Sequence, residues 1–495
     1  MFRKLHFAAM ALAFVALPFA SEAQAKDTVV IGMALEPPGL DATAGAAAAI
    51  GQITHLNIYE GLTKVNDDGS VTPLLTSGWT ISGDAKTYTF KLLSGVKFQD
   101  GEPFSSADVK FSFERAVTAE STNKSKAFLS TIASIETPDP MTVILHFKDA
   151  SPDAPYQLGL SPAVIVDPKS AASNGTKPVG TGPFRFDNWV KGSSVTLTKW
   201  DDYRHAGEIA LAKVTFRFIS DEAAQVAALL AGDVDAFPLF QGVHSVDQFK
   251  SDPRFIVTFG GTEGKTIMSI NNKKKPLDDV RVRRALSYAV DRKAIIEGAM
   301  NGYGVPIGSH YTPLDLGYID LTGVYPYDPE KAKALLKEAG VELPLKLTLT
   351  LPPPPFARNG GEIIAAELGK IGVEAKIVNV EWAQWLSGVF KEKNYDLTII
   401  SHVEPMDMTT VYADPNYYIQ YDSREFRDIM HKANTTVDVA ERKTYLVQAQ
   451  KKLAEDAVNV FLFQLQQISV ANGKLKGLWK GSPYFVNDMS GVHWE

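Results

Sequence analysis

Between Lys346 and Ile400 the chain alternates between two periodicities, and that order restricts its topology more than any other feature. Apolar runs over Lys346–Leu351, Val373–Val380 and Tyr395–Ile400 have strand character. Between them, Gly361–Lys370 and Trp382–Phe390 carry helical spacing. The order is therefore βαβαβ, which predicts a parallel sheet joined by right-handed crossovers. Ligands of such sheets collect in loops beyond the carboxyl ends of the strands. The loop after Ile400 is the natural place for a site.

This α/β texture begins near Thr262. Asp279 is placed to cap a helix whose apolar face holds Val282, Ala285, Leu286, Ala289 and Ile295. Asp328-Pro329 opens another helix, closed by Gly340. Earlier in the chain the pattern differs. Thr28–Met33 alternates as a strand and Glu36–Asp41 (EPPGLD) is an extended loop. From about Thr63 to Ala172, short strands and hairpins with a few helices make an α+β module, with Met141–Phe147 its clearest later strand. Val214–Ile219 is a further strand, and Asp221–Leu230 a helix ending at Gly232.

The N-terminus has the form of a secretory signal. Arg3 and Lys4 precede an apolar run from Phe7 to Ala20, and Ala23-Gln24-Ala25 is a small-x-small cleavage site. The run falls short of the about 20 apolar residues a membrane span needs. Removal of residues 1–25 leaves about 470 residues, enough for two or three domains. The chain has no cysteine, so neither disulfides nor a lipidated cysteine is expected, and the core alone must hold the fold. A net charge of −7 with no basic, aromatic-interleaved stripe argues against a nucleic-acid partner. Lys273–Lys275 is the one cationic run and reads as solvated surface.

Thr87–Arg115 (TYTFKLLSGVKFQDGEPFSSADVKFSFER) contains a strand at Tyr88, Phe90 and Leu92, a turn at Asp100-Gly101, and a helix capped by Ser105 or Ser106. This string resembles the fingerprint of the family 5 extracellular solute-binding proteins, which include bacterial dipeptide-, oligopeptide- and nickel-binding proteins. Ile58–Leu62 (IYEGL), Lys177–Phe186 (KPVGTGPFRF) and Asn271–Ile296 resemble further family segments in the same order. The resemblance implies a two-lobed periplasmic-binding-protein fold of the α/β class, with an extra α+β domain inserted in the first lobe. Domain I would comprise 26–60, 175–262 and 474–495, domain II 61–174, and domain III 263–473. Chain crossings near Thr262 and Asn472-Gly473 would form the hinge. The implied function is capture of a small solute by lobe closure and delivery to an ABC permease in the inner membrane.

Family likeness also suggests contacts. Trp382 in EWAQW matches a tryptophan bordering the solute cleft in peptide-binding relatives, although core packing under helix 382–390 competes with that role; Trp385 suits the core. In those relatives an aspartate early in the loop after the last strand grips the free α-amino group. Ser401 stands there in this chain, a departure that counts against ordinary free peptides unless Glu404 or Asp407 takes over. His402, Glu404 and Asp407 suit a cationic group or a metal; a solvated surface loop is the alternative. Tyr412, Tyr417 and Tyr418 suit either a closing pocket or a core seam. Arg358 has the geometry for a carboxylate. The Ala42–Ile50 stretch, with Gly45 and Ala46 as candidate contacts, offers a small, apolar wall.

An enzyme is the competing class. GxSxG, HExxH, Walker and GxGxxG patterns are all missing, and the nine histidines show no paired metal-ligand spacing. A nickel- or haem-binding member, drawing on His402, His55, His205, His244 or Met406, is the alternative within the family, and a secreted hydrolase the alternative outside it. The sequence thus points to a monomeric, non-catalytic periplasmic binding protein without cofactor or lipid anchor. Its solute is expected to be peptide-like or amine-containing.

Overall fold

The computed structural model describes residues 26–45, 47–481 and 483–495. The expected signal segment, residues 1–25, and the candidate contact Ala46 lie outside the described residues. Two large sheets organise the rest. The six-stranded sheet runs Gly304–Pro306, Asn459–Leu465, Lys265–Ile270, Leu397–His402, Leu345–Leu351, Val373–Asn379. Its last three strands are parallel, with Leu345 opposite Val373 and Leu349 opposite Leu397. Helix Pro355–Gly369 makes the first crossover, and the second runs through a π-helical turn at Trp385–Lys391. Leu349, Leu351, Leu397 and Ile399 are fully buried or nearly so, as a parallel sheet covered on both faces requires.

The seven-stranded sheet runs Phe255–Gly260, Gln467–Asn472, Ala236–Phe237, Thr28–Met33, Lys213–Phe218, Ser194–Lys199, Phe184–Val190. Thr28–Met33 is its parallel centre, paired with Lys213–Phe218 and Ala236–Phe237. A separate four-stranded antiparallel sheet takes in Thr76–Ile81, Thr87–Leu92, Thr142–Phe147 and Ile132–Asp139. Helix Ser106–Ala116 packs on it, and Tyr88, Phe90, Phe98 and Leu145 centre its own apolar cluster. Ser105, not Ser106, is the cap; the Asp108 carboxylate in turn accepts from the Ser105 backbone at 2.7 Å.

Local signals acted where the sequence placed them. The Asp221, Asp279 and Asp328 carboxylates cap their helices by accepting from the backbone N–H of Ala224, Arg281 and Lys331. The helix after Asp279 is shorter than its apolar face suggested. It stops at Ala289, and Asp291 caps a second helix, Arg292–Met300, by accepting from Lys293 and Ala294. The two glycines of the KPVGTGPFRF segment have a packing reason. A side chain at Gly180 or Gly182 would collide with the backbone of Asn57 and Ile58, whose carbonyls accept from Phe184 and Gly182 at 2.8 Å.

The chain crosses between the large sheets twice. The first crossing, between Gly260 and Lys265, falls at the expected Thr262. The second lies at Gln466, not at Asn472-Gly473, because Asn459–Leu465 belongs to one sheet and Gln467–Asn472 to the other. NVFLFQLQQISVAN contains no glycine or proline where the chain changes sheet, so Asn472-Gly473 marks the end of the second strand, not the change of sheet. The crossings are tied together: Leu465 N–H donates to the Gly264 carbonyl at 2.7 Å, and Gln464 Nε2 to the Thr262 carbonyl at 2.8 Å.

Candidate functional site

A cleft of about 1140 Å³, counting space open to solvent, lies between the sheets beside these crossings. One wall comes from Met33–Leu35, from Ala48, Ala49 and Gln52 on helix Ala48–Thr54, and from Phe485–Asn487. The opposite wall comes from Pro353–Phe356, Trp382, Ser401 and Val403, and Leu465 and Gln467 lie where the chain crosses. A smaller cavity of about 380 Å³ adjoins it through the shared Ala48 and Phe485.

Trp382 and Ser401 line the main cleft. The Trp382 ring stacks on Trp385 with centroids 5.2 Å apart and planes at 3°, and Trp385 is buried, its Nε1 donating to Thr398 Oγ1 at 3.0 Å. One tryptophan thus supports the other from the core. Ser401 Oγ, Trp382 Nε1 and Gln467 Oε1 are buried and lack a hydrogen-bond partner. Gly45 and Glu404 line the smaller cavity. Glu404 is paired there with Lys124 at 2.5 Å, and the Gly45 N–H donates to Thr122 Oγ1 at 3.0 Å. Arg358 lines neither cavity; its guanidinium donates to Glu381 at 3.3 Å and to the Val380 carbonyl.

His402 follows strand alternation. Its neighbours Ser401 and Val403 line the cleft, while its own ring turns into the second lobe. There His402 Nε2 meets the Tyr418 hydroxyl at 2.9 Å, and Nδ1 lies 3.5 Å from Asp407. Asp407, a candidate solute contact with a solvated loop as the alternative, is neither: it lines neither cavity and is buried, with Lys265 and two histidines around it. Lys265 Nζ lies 3.1 Å and His310 Nε2 3.0 Å from its carboxylate. Burial opposes its ionisation, but Lys265 and His310 outweigh that and hold the carboxyl well below its usual range. Lys265, itself 1% exposed, also donates to the Glu404 carbonyl at 2.6 Å. His310, absent from the candidates above, is kept neutral by burial, its pKa lowered to about 4. Its Nδ1 accepts from the Tyr412 hydroxyl at 2.9 Å. Tyr412 and Tyr418 are fully buried or nearly so, and Tyr417 packs on Phe390 at 5.5 Å. His310, His402 and Asp407 bring ligand-type atoms within 4.8 Å of one another, but tyrosine hydroxyls and the Lys265 ammonium already engage those atoms.

Comparison with known proteins decides the family. The model of the bacterial extracellular solute-binding proteins, family 5 (middle region), matches residues 70–426. The chain belongs to this family. It is 28% identical to the dipeptide-binding protein of Escherichia coli K12, over 98% of this chain and 97% of that one. A putative ABC transporter peptide-binding protein of Brucella ovis is 32% identical, over 75% of this chain and 73% of the relative. The solved structure of the binding protein AgaA of A. tumefaciens R10 with agropinic acid superposes at a TM-score of 0.87, with 29% identity, covering 94% and 99% of the two chains. The two sheets are the lobes of a periplasmic-binding-protein fold.

Two ion pairs join the segment that carries the four-stranded sheet to the second lobe. Arg442 on helix Val439–Glu455 of the second lobe makes a two-pronged pair with Asp153, one bond of which is 2.6 Å. Lys124–Glu404 is a second such bridge. Arg442 left no sign in the sequence, being an ordinary position on an amphipathic helix. Gln467 did leave a signal, as part of a glutamine cluster inside an otherwise apolar strand run. Phe485 and Asn487 carried none, since the C-terminal segment has no regular period.

Proposed function

We propose that this protein is the non-catalytic, monomeric solute-binding subunit of an ABC importer. It captures a small peptide-like solute between its lobes and passes it to the inner-membrane permease. The cleft itself carries the proposal: it sits at the two crossings, is walled by both lobes, and closes or opens as they move. The first lobe is taken as residues 26–60 and 175–262 with the chain from Gln467 onward, residues 61–174 as an inserted module, and 263–465 as the second lobe. Trp382, Ser401 and Gln467 are the proposed solute contacts. The relatives' names, dipeptide-binding and peptide-binding, favour a peptide-like solute. An amine is less well served, since Glu404 and Asp407 are already paired with lysines. A solute bound only by the closed native state should stabilise it by about 2.7 kcal/mol at one hundred times Kd. Small-angle scattering with the same solute should show contraction. Stabilisation at an unchanged radius of gyration would refute closure.

A further inference from the structure

The composition of the cleft wall says more about the solute. Among the described residues lining it, none is an aspartate, glutamate, lysine, arginine or histidine. The charges that come near are turned elsewhere: Glu404 pairs with Lys124 and Asp407 with Lys265, while Arg358, outside the lining, reaches Glu381 through one exposed 3.3 Å contact and keeps its Nε buried without a partner. Helix Pro355–Gly369 does begin at the cleft, and a helix N-terminus ordinarily attracts anions. Here Pro353, Pro354 and Pro355 have no N–H to offer, and the Ala357 N–H is bonded to the Pro354 carbonyl at 2.9 Å. A carboxylate would find few donors there.

The wall is nevertheless not inert. Ser401 Oγ, Trp382 Nε1 and Gln467 Oε1 all belong to lining residues, are buried, and lack partners. Buried polar atoms are normally hydrogen-bonded, and each unmet one is costly. The indole N–H needs an acceptor, the amide oxygen needs a donor, and the hydroxyl serves as either. Around them Phe356, Trp382 and Phe485 supply apolar surface.

We propose that the solute held in this cleft is an uncharged organic molecule, with an apolar face for Trp382 and at least one hydrogen-bond donor and one acceptor for the Ser401–Trp382–Gln467 group. This rests on the capture function proposed above. A free peptide brings an ammonium and a carboxylate, and closure would strip both of water without a counter-charge. An end-blocked or cyclic peptide brings the same amides without that penalty. Amides and hydroxyls satisfy the three atoms equally, so a neutral sugar is the other source of this chemistry.

The test begins with native mass spectrometry of the purified protein, followed by unfolding and identification of what is released. A neutral molecule supports the proposal; a free peptide, amine or carboxylate overturns it. Empty protein is titrated calorimetrically with Ala-Phe, its N-acetylated C-amidated form, cyclo(Ala-Phe) and cellobiose. The blocked or cyclic form, or the sugar, should bind at least tenfold tighter than free Ala-Phe. Free Ala-Phe binding as tightly as its blocked form, or no neutral compound binding at all, overturns the proposal. Binding of cellobiose alone upholds a neutral solute while removing the peptide-like class. Contraction in scattering with a charged solute would sink this proposal and leave capture by closure standing.

Discussion

Replacing Asp407 by asparagine tests whether the buried charge cluster behind the cleft holds the second lobe together. Asparagine keeps the size and one acceptor oxygen but removes the negative charge. Lys265, 1% exposed, would then retain its ammonium without the counter-ion now 3.1 Å away. Stranding one member of a buried ion pair typically costs about 3–5 kcal/mol. For a lobe of roughly 200 residues that corresponds to a melting temperature lower by about 6–20 °C. Asp315 and Glu263 also face Lys265, so the loss should fall toward the lower end of that range; the measurement is best made near pH 6, where Glu263, its pKa raised to about 8 by burial and Asp315, substitutes least. Lys265→Met combined with Asp407→Asn removes both charges, and most of the loss should return. A surface carboxylate would behave otherwise: removing it typically changes stability by about 0–1 kcal/mol. An Asp407→Asn protein melting within about 2 °C of wild type, or a double variant whose loss equals the sum of the singles, would refute the buried-pair account.

Two further outcomes follow from the same region. Glu263 has a folded-state pKa of about 8, above its ordinary value, so the native state binds the extra proton. Its contribution to stability is complete below about pH 4.3 and lost as pH rises through about 8; Glu263→Gln should flatten that decline, and an unchanged pH–stability curve would exclude Glu263 as its source. Arg442→Met removes the bridge to Asp153, whose side chains are 10% and 27% exposed, so a cost between surface and buried pairs, about 1–2 kcal/mol, is expected. If the bridge favours closure, solute affinity falls roughly five- to thirtyfold, and calorimetry giving wild-type affinity would show that it does not.

What was legible in the sequence was periodic, and what was not depended on partners distant along the chain. The parallel strands from Leu345 to His402 followed from alternating periods, and the aspartate caps from residue type at helix starts. Asp407 looked like a solvated loop residue because nothing nearby announces that Lys265 and His310 converge on it. Tyr412 and Tyr418 were ambiguous for a related reason: an aromatic loop suits a pocket or a core, and only their bonds to His310 and His402 place them inside the lobe. The second crossing was misplaced because two strands of different sheets share one apolar run, broken by no glycine or proline.

The position of the cleft, by contrast, obeys a rule that needed only strand order. Leu35 follows Thr28–Met33, Leu239 follows Ala236–Phe237, Pro353 follows Leu345–Leu351, Trp382 follows Val373–Asn379, and Val403 follows Leu397–His402. Each is just beyond the carboxyl end of a strand, where open α/β sheets gather their ligands. Facing two such sheets across a pair of crossings brings these ends together from both lobes. The scaffold therefore determines where a solute is held, while the side chains on those loops determine which. Alternation makes the distinction at single-residue resolution: Ser401 meets the cleft, and His402, next along the same strand, meets the charge cluster. A one-residue slip of that strand would exchange them, putting an imidazole into an uncharged pocket and leaving Asp407 one contact short.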